Sequence, residues 1–261
     1  MSAKRHGEDW THEEHILAFN LYCKIPFGQI DEDKPHTIEL ARLLGRSPGS
    51  VSYKLTNFAR LDPALQARGI RGHTHGAKGE EEVWNEFASN PEALAFESER
   101  LLAARLGKPI EEIAEIEERD LPPAGIEREA TVRVRVNQSF FRRRIVSAYN
   151  YRCCVTGLAL RELLIASHIV PWSEDAANRL NPRNGLCLNA LHDRAFDRRL
   201  MWIDENLNVR FKPRILDLSK SGDSSLSWLV GFEGVPLQLP RKFSPDAQFL
   251  RLHAARCKAR P

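Results

Sequence analysis

The stretch at 163–200, LLIASHIVPWSEDAANRLNPRNGLCLNALHDRAFDRRL, crowds His168, Asn184, His192, Asp193 and Asp197 into a short span. A packed core has no use for that set, because buried charge is costly unless it is paired or bound to a metal. The same residues also fall into elements. Leu164, Ala166, His168 and Val170 alternate with Ile165, Ser167 and Ile169 as in a strand, and Pro171 stops it. The loop SEDAANRLNPRN leads to a second short strand, NGLCLNA, and then to a helix, LHDRAFDRRL. On that helix Asp193 and Asp197 are four residues apart, so both carboxylates leave from one face. They repel each other unless a cation lies between them or Arg194 and Arg198 neutralise them from the sides.

Upstream, TVRVRV at 131–136 has the period of a strand, with Arg133 and Arg135 on one side and valines on the other. NQSFFRRRIVSAYNYRC then reads as a helix. From Arg128 to Arg152 there are seven arginines and one acid, a composition suited to phosphate contact. Arg135, Gln138, Arg142 and Arg143 are the nucleic-acid candidates there. Downstream, MWIDENLNVRFKP predicts a hairpin around Glu205–Asn206, and DAQFLRLHAARCKAR a basic helix in which His253 is structural.

The N-terminal part reads as short helices. Thr11 and Glu14 form a capping-box pattern ahead of Ile16, Leu17, Phe19 and Leu21. Ile38, Leu40, Ala41 and Leu44 mark a second helix that Gly45 ends, and Ser47–Pro48 opens a third, with Val51, Leu55 and Phe58 inward. Two helices joined by a tight turn match a helix-turn-helix, whose second helix would present Ser50, Ser52, Tyr53, Lys54 and Asn57 to DNA. A small helical bundle with no nucleic-acid role has the same pattern. His73 and His75 sit in a Gly-rich loop and read as solvated. The expected organisation is a helical recognition region at 1–79, an acidic helical spacer and linker at 80–125, and an α+β domain at 126–261 with its core at 135–200.

The charge is uneven: 80–120 carries a net −9 and 121–261 a net +10, so the basic half is suited to a polyanion. With 28% charged residues and no apolar run long enough to span a bilayer, a soluble, non-membrane protein is expected. The N-terminus shows no secretory pattern, and five cysteines do not read as a disulfide framework, so a cytoplasmic setting is expected.

Strand, loop, strand and helix in this residue order resemble the ββα-metal motif of the HNH endonuclease family, on SHIVP, Asn184, Asp193 and Asp197. ASHIVPW with NGLCLNALHDRAFD resembles the restriction-endonuclease subgroup most closely. The resemblance implies that His168 is the general base and that Asn184 braces the loop. It implies Asp193 and Asp197 as metal ligands, with Ser167 or His192 completing the site. Oxygen donors favour Mg²⁺ or Mn²⁺, with Ni²⁺ or Zn²⁺ also used. Ser167 stands where many relatives carry a ligand, and no CxxC knuckle is present, so no structural zinc is expected.

The reading is therefore a metal-dependent endonuclease acting on double-stranded DNA in restriction of foreign DNA, with base-modified DNA among the candidate targets. A homodimer or sequential nicks would be needed for a double-strand break. The alternative is a non-catalytic DNA-binding regulator with a degenerate HNH site. An RNA-directed nuclease ranks last, because the aromatic-rich motif of an RNA-recognition sheet is missing.

Overall fold

The computed structural model describes residues 8–69, 78–221 and 224–259. His73 and His75 lie outside the described residues. The chain divides into two compact units, 1–144 and 145–261.

The first unit is helical. Helix α1 (His12–Lys24) starts in a true capping box: Thr11 Oγ1 accepts from Glu14 N, and Glu14 Oε2 accepts from Thr11 N. Helix α2 (Pro35–Leu44) ends at Gly45, whose φ of 69° is the left-handed conformation glycine adopts without penalty. Helix α3 (Pro48–Leu61) starts at Ser47, which accepts from Ser50 N. Ile16, Phe19, Leu40, Leu44, Val51, Leu55 and Phe58 bury the faces between these three helices. The single turn α4 (Pro63–Gln66), α5 (Lys78–Phe87), α6 (Pro91–Leu106) and the turn α7 (Ile110–Ile113) follow. Trp84 of α5 packs on Phe19, and Phe19 stacks on Phe58 at 4.8 Å.

Two expectations are overturned here. The strand expected at 131–136 is part of a long helix, α8 (Ile126–Ala148). Val132, Val136 and Phe140 recur every fourth residue, which suits a helix face as well as a strand face. The helix buries Val132 and Val136 with Ala114 against Phe96, Ile110, Ile116 and Leu121, and leaves Val134 exposed. Tertiary burial outweighs β propensity.

The outward face expected of α3 is also corrected. Lys54 and Asn57 are buried and both bond the Glu80 carboxylate, at 2.9 and 2.8 Å, while Ser50 accepts from the Trp10 indole. Of the five contacts named on α3, Tyr53 is exposed and Ser50 and Ser52 are half-buried. On α8, Arg135, Gln138 and Arg142 are exposed along one face, whereas Arg143 turns back to Glu115, Glu99 and the Ile113 carbonyl. Lys54 and Arg143 are thus structural cations.

The second unit holds two small antiparallel sheets among helices, which makes the protein α+β. Strand β1 (Leu164–His168) pairs with β2 (Gly185–Asn189), His168 opposite Gly185 and Ser167 opposite Leu186. Helix α9 (Ala190–Asp197) follows β2 directly, and its N-cap Asn189 accepts from His192 N. Strands β3 (Met201–Ile203) and β4 (Val209–Phe211) form the expected hairpin. Helices α10 (Pro213–Lys220), the turn α11 (Ser227–Val230) and α12 (Ala247–Lys258) complete it. All five cysteines are free thiols and buried. Among the described residues no helix is long and apolar enough to cross a membrane.

Candidate functional site

Strand β1 ends on His168 and the chain turns away at Ile169. From there to β2 it runs as a loop, and Asn184 clamps that loop at both ends. Its Oδ1 accepts from Val170 N at 2.8 Å, and its Nδ2 donates to Val170 O at 3.0 Å and to Asn178 O at 3.2 Å. Asn184 is buried, so its amide exchanges all of its hydrogen bonding with the backbone rather than with water.

The clamped loop returns a carbonyl to the histidine. His168 Nε2 lies 2.8 Å from the Arg179 carbonyl, which can only accept, so Nε2 carries the proton. The basic lone pair of the neutral ring is then on Nδ1. Burial lowers the His168 pKa below its ordinary 6.5, with the Arg179 carbonyl and Asp197 pulling it back upward. The ring is therefore neutral at pH 7. Trp172 meets His168 edge-on, with ring centroids 5.6 Å apart.

On α9, Asp193 and Asp197 present their carboxylates one turn apart. Burial raises the pKa of both, and for Asp193 the charge of Asp197 raises it further. Arg194 offsets both shifts and Arg198 that of Asp197, but neither arginine forms an ion pair with either aspartate among the described residues. Ser167 Oγ lies beside Asp193 and favours its ionised form, yet it is buried without a hydrogen bond of normal geometry. An under-satisfied hydroxyl next to two repelling carboxylates fits a hard divalent cation, which takes oxygen donors and completes its shell from water and phosphate.

Cys153 opens the segment that carries all of these groups. Residues 153–204 match the HNH endonuclease family. No curated protein matches the chain. The HNH match takes in β1, the clamped loop, β2, α9 and β3, and so every residue of the candidate site.

Not every expected member of the HNH site joins it. His192 is buried, its Nδ1 lies 3.1 Å from Asn189 Oδ1, and its ring packs edge-on against Phe232 and Phe211. Burial lowers its pKa as well. One residue along a helix rotates the side chain by about 100°, which separates the His192 face from that of Asp193. Among the described residues no three His, Cys, Asp or Glu side chains are gathered for a metal, and the candidate donors are two carboxylates with Ser167 beside Asp193. Sequence reasoning passed over Arg179 and Trp172, which frame His168. A basic residue in a polar loop carries no signal of its own.

Proposed function

We propose that the second unit is a metal-dependent endonuclease that hydrolyses phosphodiester bonds in double-stranded DNA and serves restriction of foreign DNA. The observation that carries this is His168, kept neutral by burial and oriented by the Arg179 carbonyl, in the same motif as two carboxylates without an ion pair on one helix face. His168 Nδ1 takes the proton of the attacking water. Its Nε2–H bond to the carbonyl then steadies the imidazolium and fixes the ring plane. Asn184 keeps the loop, and through it that carbonyl, in place.

Asp193 and Asp197 would hold Mg²⁺ or Mn²⁺. Bound there, such an ion supplies charge stabilisation to the phosphate and to the departing 3′ oxygen. The first unit would add DNA contacts through the exposed Tyr53, Arg135, Gln138 and Arg142.

The test is nicking of supercoiled plasmid in Mg²⁺ or Mn²⁺ against EDTA, beside His168→Ala. Metal-dependent cleavage that falls about 10²–10⁴-fold in the variant is expected. Cleavage by the variant at the wild-type rate would remove His168 from the base role. A second reading, a DNA-binding regulator, draws on the two-carboxylate donor set. Salt-dependent binding with no cleavage in any of Mg²⁺, Mn²⁺, Ni²⁺ or Zn²⁺ would select it.

A further inference from the structure

Hydrolysis of a phosphodiester passes through a state with extra negative charge on the phosphate, and a cation held ready for it is worth more than one that must be recruited. Three arginines of the second unit are committed to acids. Arg183 pairs with Asp246, Arg210 with Asp204 and Glu233, and Arg256 with Glu174. Arg179 differs. Its side chain is half-buried, its Nε donates to the Trp172 carbonyl at 2.9 Å, and its guanidinium lies over the Trp172 ring, 5.2 Å from the centroid. Among the described residues it has no carboxylate partner.

A half-buried cation without a counter-ion is electrostatically unfavourable, and here it is also immobilised. Bonding through Nε and stacking on an indole fix the plane of the guanidinium while Nη1 and Nη2 remain as a two-pronged donor, the geometry that matches two phosphate oxygens. The residue is also tied to the base from two directions. Its carbonyl accepts the hydrogen bond from His168 Nε2–H, and the tryptophan that supports its side chain packs edge-on against His168.

We infer that Arg179 grips a phosphate of the nucleic-acid backbone beside His168, with Trp172 as its rigid support. This rests on the nuclease reading for its place in a reaction, but the phosphate contact itself does not need cleavage. One residue thus does two things: its backbone orients the base and its side chain holds the substrate group on which the base acts.

The experiment compares wild type, Arg179→Gln and Arg179→Lys in the full chain, each first shown to unfold at a similar temperature. Binding to a short DNA duplex is measured in EDTA by fluorescence anisotropy over a range of salt, and single-turnover nicking is measured separately with metal. Arg179→Gln should reduce the slope of log affinity against log salt by about one, the signature of one lost phosphate contact. It should also slow nicking at least about tenfold. Arg179→Lys should restore the slope, since it keeps the charge, but not the rate, since it cannot bond Trp172 and fork onto phosphate together.

An unchanged slope in a folded Arg179→Gln protein would overturn the inference. Slowed nicking with an unchanged slope and a displaced His168 titration by NMR would also overturn it, and would make Arg179 a prop for the loop only. If wild type cuts nothing with any metal, the nuclease reading fails. A slope difference between wild type and Arg179→Gln would still support the phosphate contact.

Discussion

Each unit has a cluster of carboxylates, and the two are built in opposite ways. In the first, Glu80 is fully buried and receives Lys54 Nζ at 2.9 Å and Asn57 Nδ2 at 2.8 Å, with His15 Nε2 3.4 Å away. Burial alone would raise its pKa, but the hydrogen bonds from His15, Asn57 and Lys54 together lower it to about 2. Beside it Arg46 forks onto Glu14 and the Glu8 and Asp9 carbonyls. In the second unit Asp193 is half-buried and Asp197 exposed, neither has an ion-pair partner among the described residues, and the pKa values of both move up. A carboxylate paired with a buried cation and amide is holding the fold. One whose surroundings leave it wanting a cation is available for a ligand.

The close fit of the first cluster extends to the backbone. A Cβ at Gly79 would meet the His15 ring at 2.6 Å, so α5 carries a glycine where it passes His15. In the second cluster Ser167 Oγ is buried without a partner of normal geometry, and in the first so are His15 Nε2 and Glu80 Oε2.

The contrast is sharpest in Glu80→Gln. Loss of the charge leaves Lys54 buried without its counter-ion, and the protein should lose about 3–5 kcal/mol of stability in denaturant unfolding. A loss under about 1 kcal/mol would mean the cluster is not holding the first unit.

Acid should act on the clusters with opposite sign. The folded pKa of Glu80, about 2, lies below its usual 4.5, so the stability it supplies is complete above 4.5 and is lost as pH falls through about 2. The difference is on the order of 3 kcal/mol. Asp193 and Asp197 have folded pKa values above the usual 3.8. Their contribution is complete below 3.8 and is lost as pH rises through the raised values. Carboxyl titration by NMR reads all three; a Glu80 midpoint near 4.5, or aspartate midpoints at or below 3.8, would erase the distinction.

The smallest effect is Asp193→Asn in EDTA. Removing one of two repelling carboxylates four residues apart should stabilise the metal-free protein by about 0.2–0.5 kcal/mol. The same change should remove the thermal stabilisation that added Mn²⁺ gives wild type. Destabilisation in EDTA would instead make Asp193 a structural acceptor for Ser167.

Much of the fold was legible in local sequence. The capping box at Thr11, the stop at Gly45, the start at Ser47, the β1–loop–β2–α9 order and the hairpin at 201–211 each follow from residues a few positions apart. So did the shared face of Asp193 and Asp197, because helical periodicity fixes it. What lay beyond reach was which side of an element meets other chain. Valines at 132 and 136 satisfy either period, and only the partners at Phe96, Ile110 and Leu121 selected the helix. Lys54, Asn57 and Arg143 looked like surface donors until Glu80, Glu99 and Glu115 were brought to them from tens of residues away.

The same division runs through the site. Sequence by itself determined the residue types and their order along strand, loop and helix, because those depend on local spacing and backbone preference. Tertiary structure decided that His192 packs against Phe211 and Phe232, that the proton of His168 sits on Nε2, and that Arg179 stands beside it. Those outcomes depend on which groups end up buried together and on which partners satisfy them, and burial is a property of the folded chain alone.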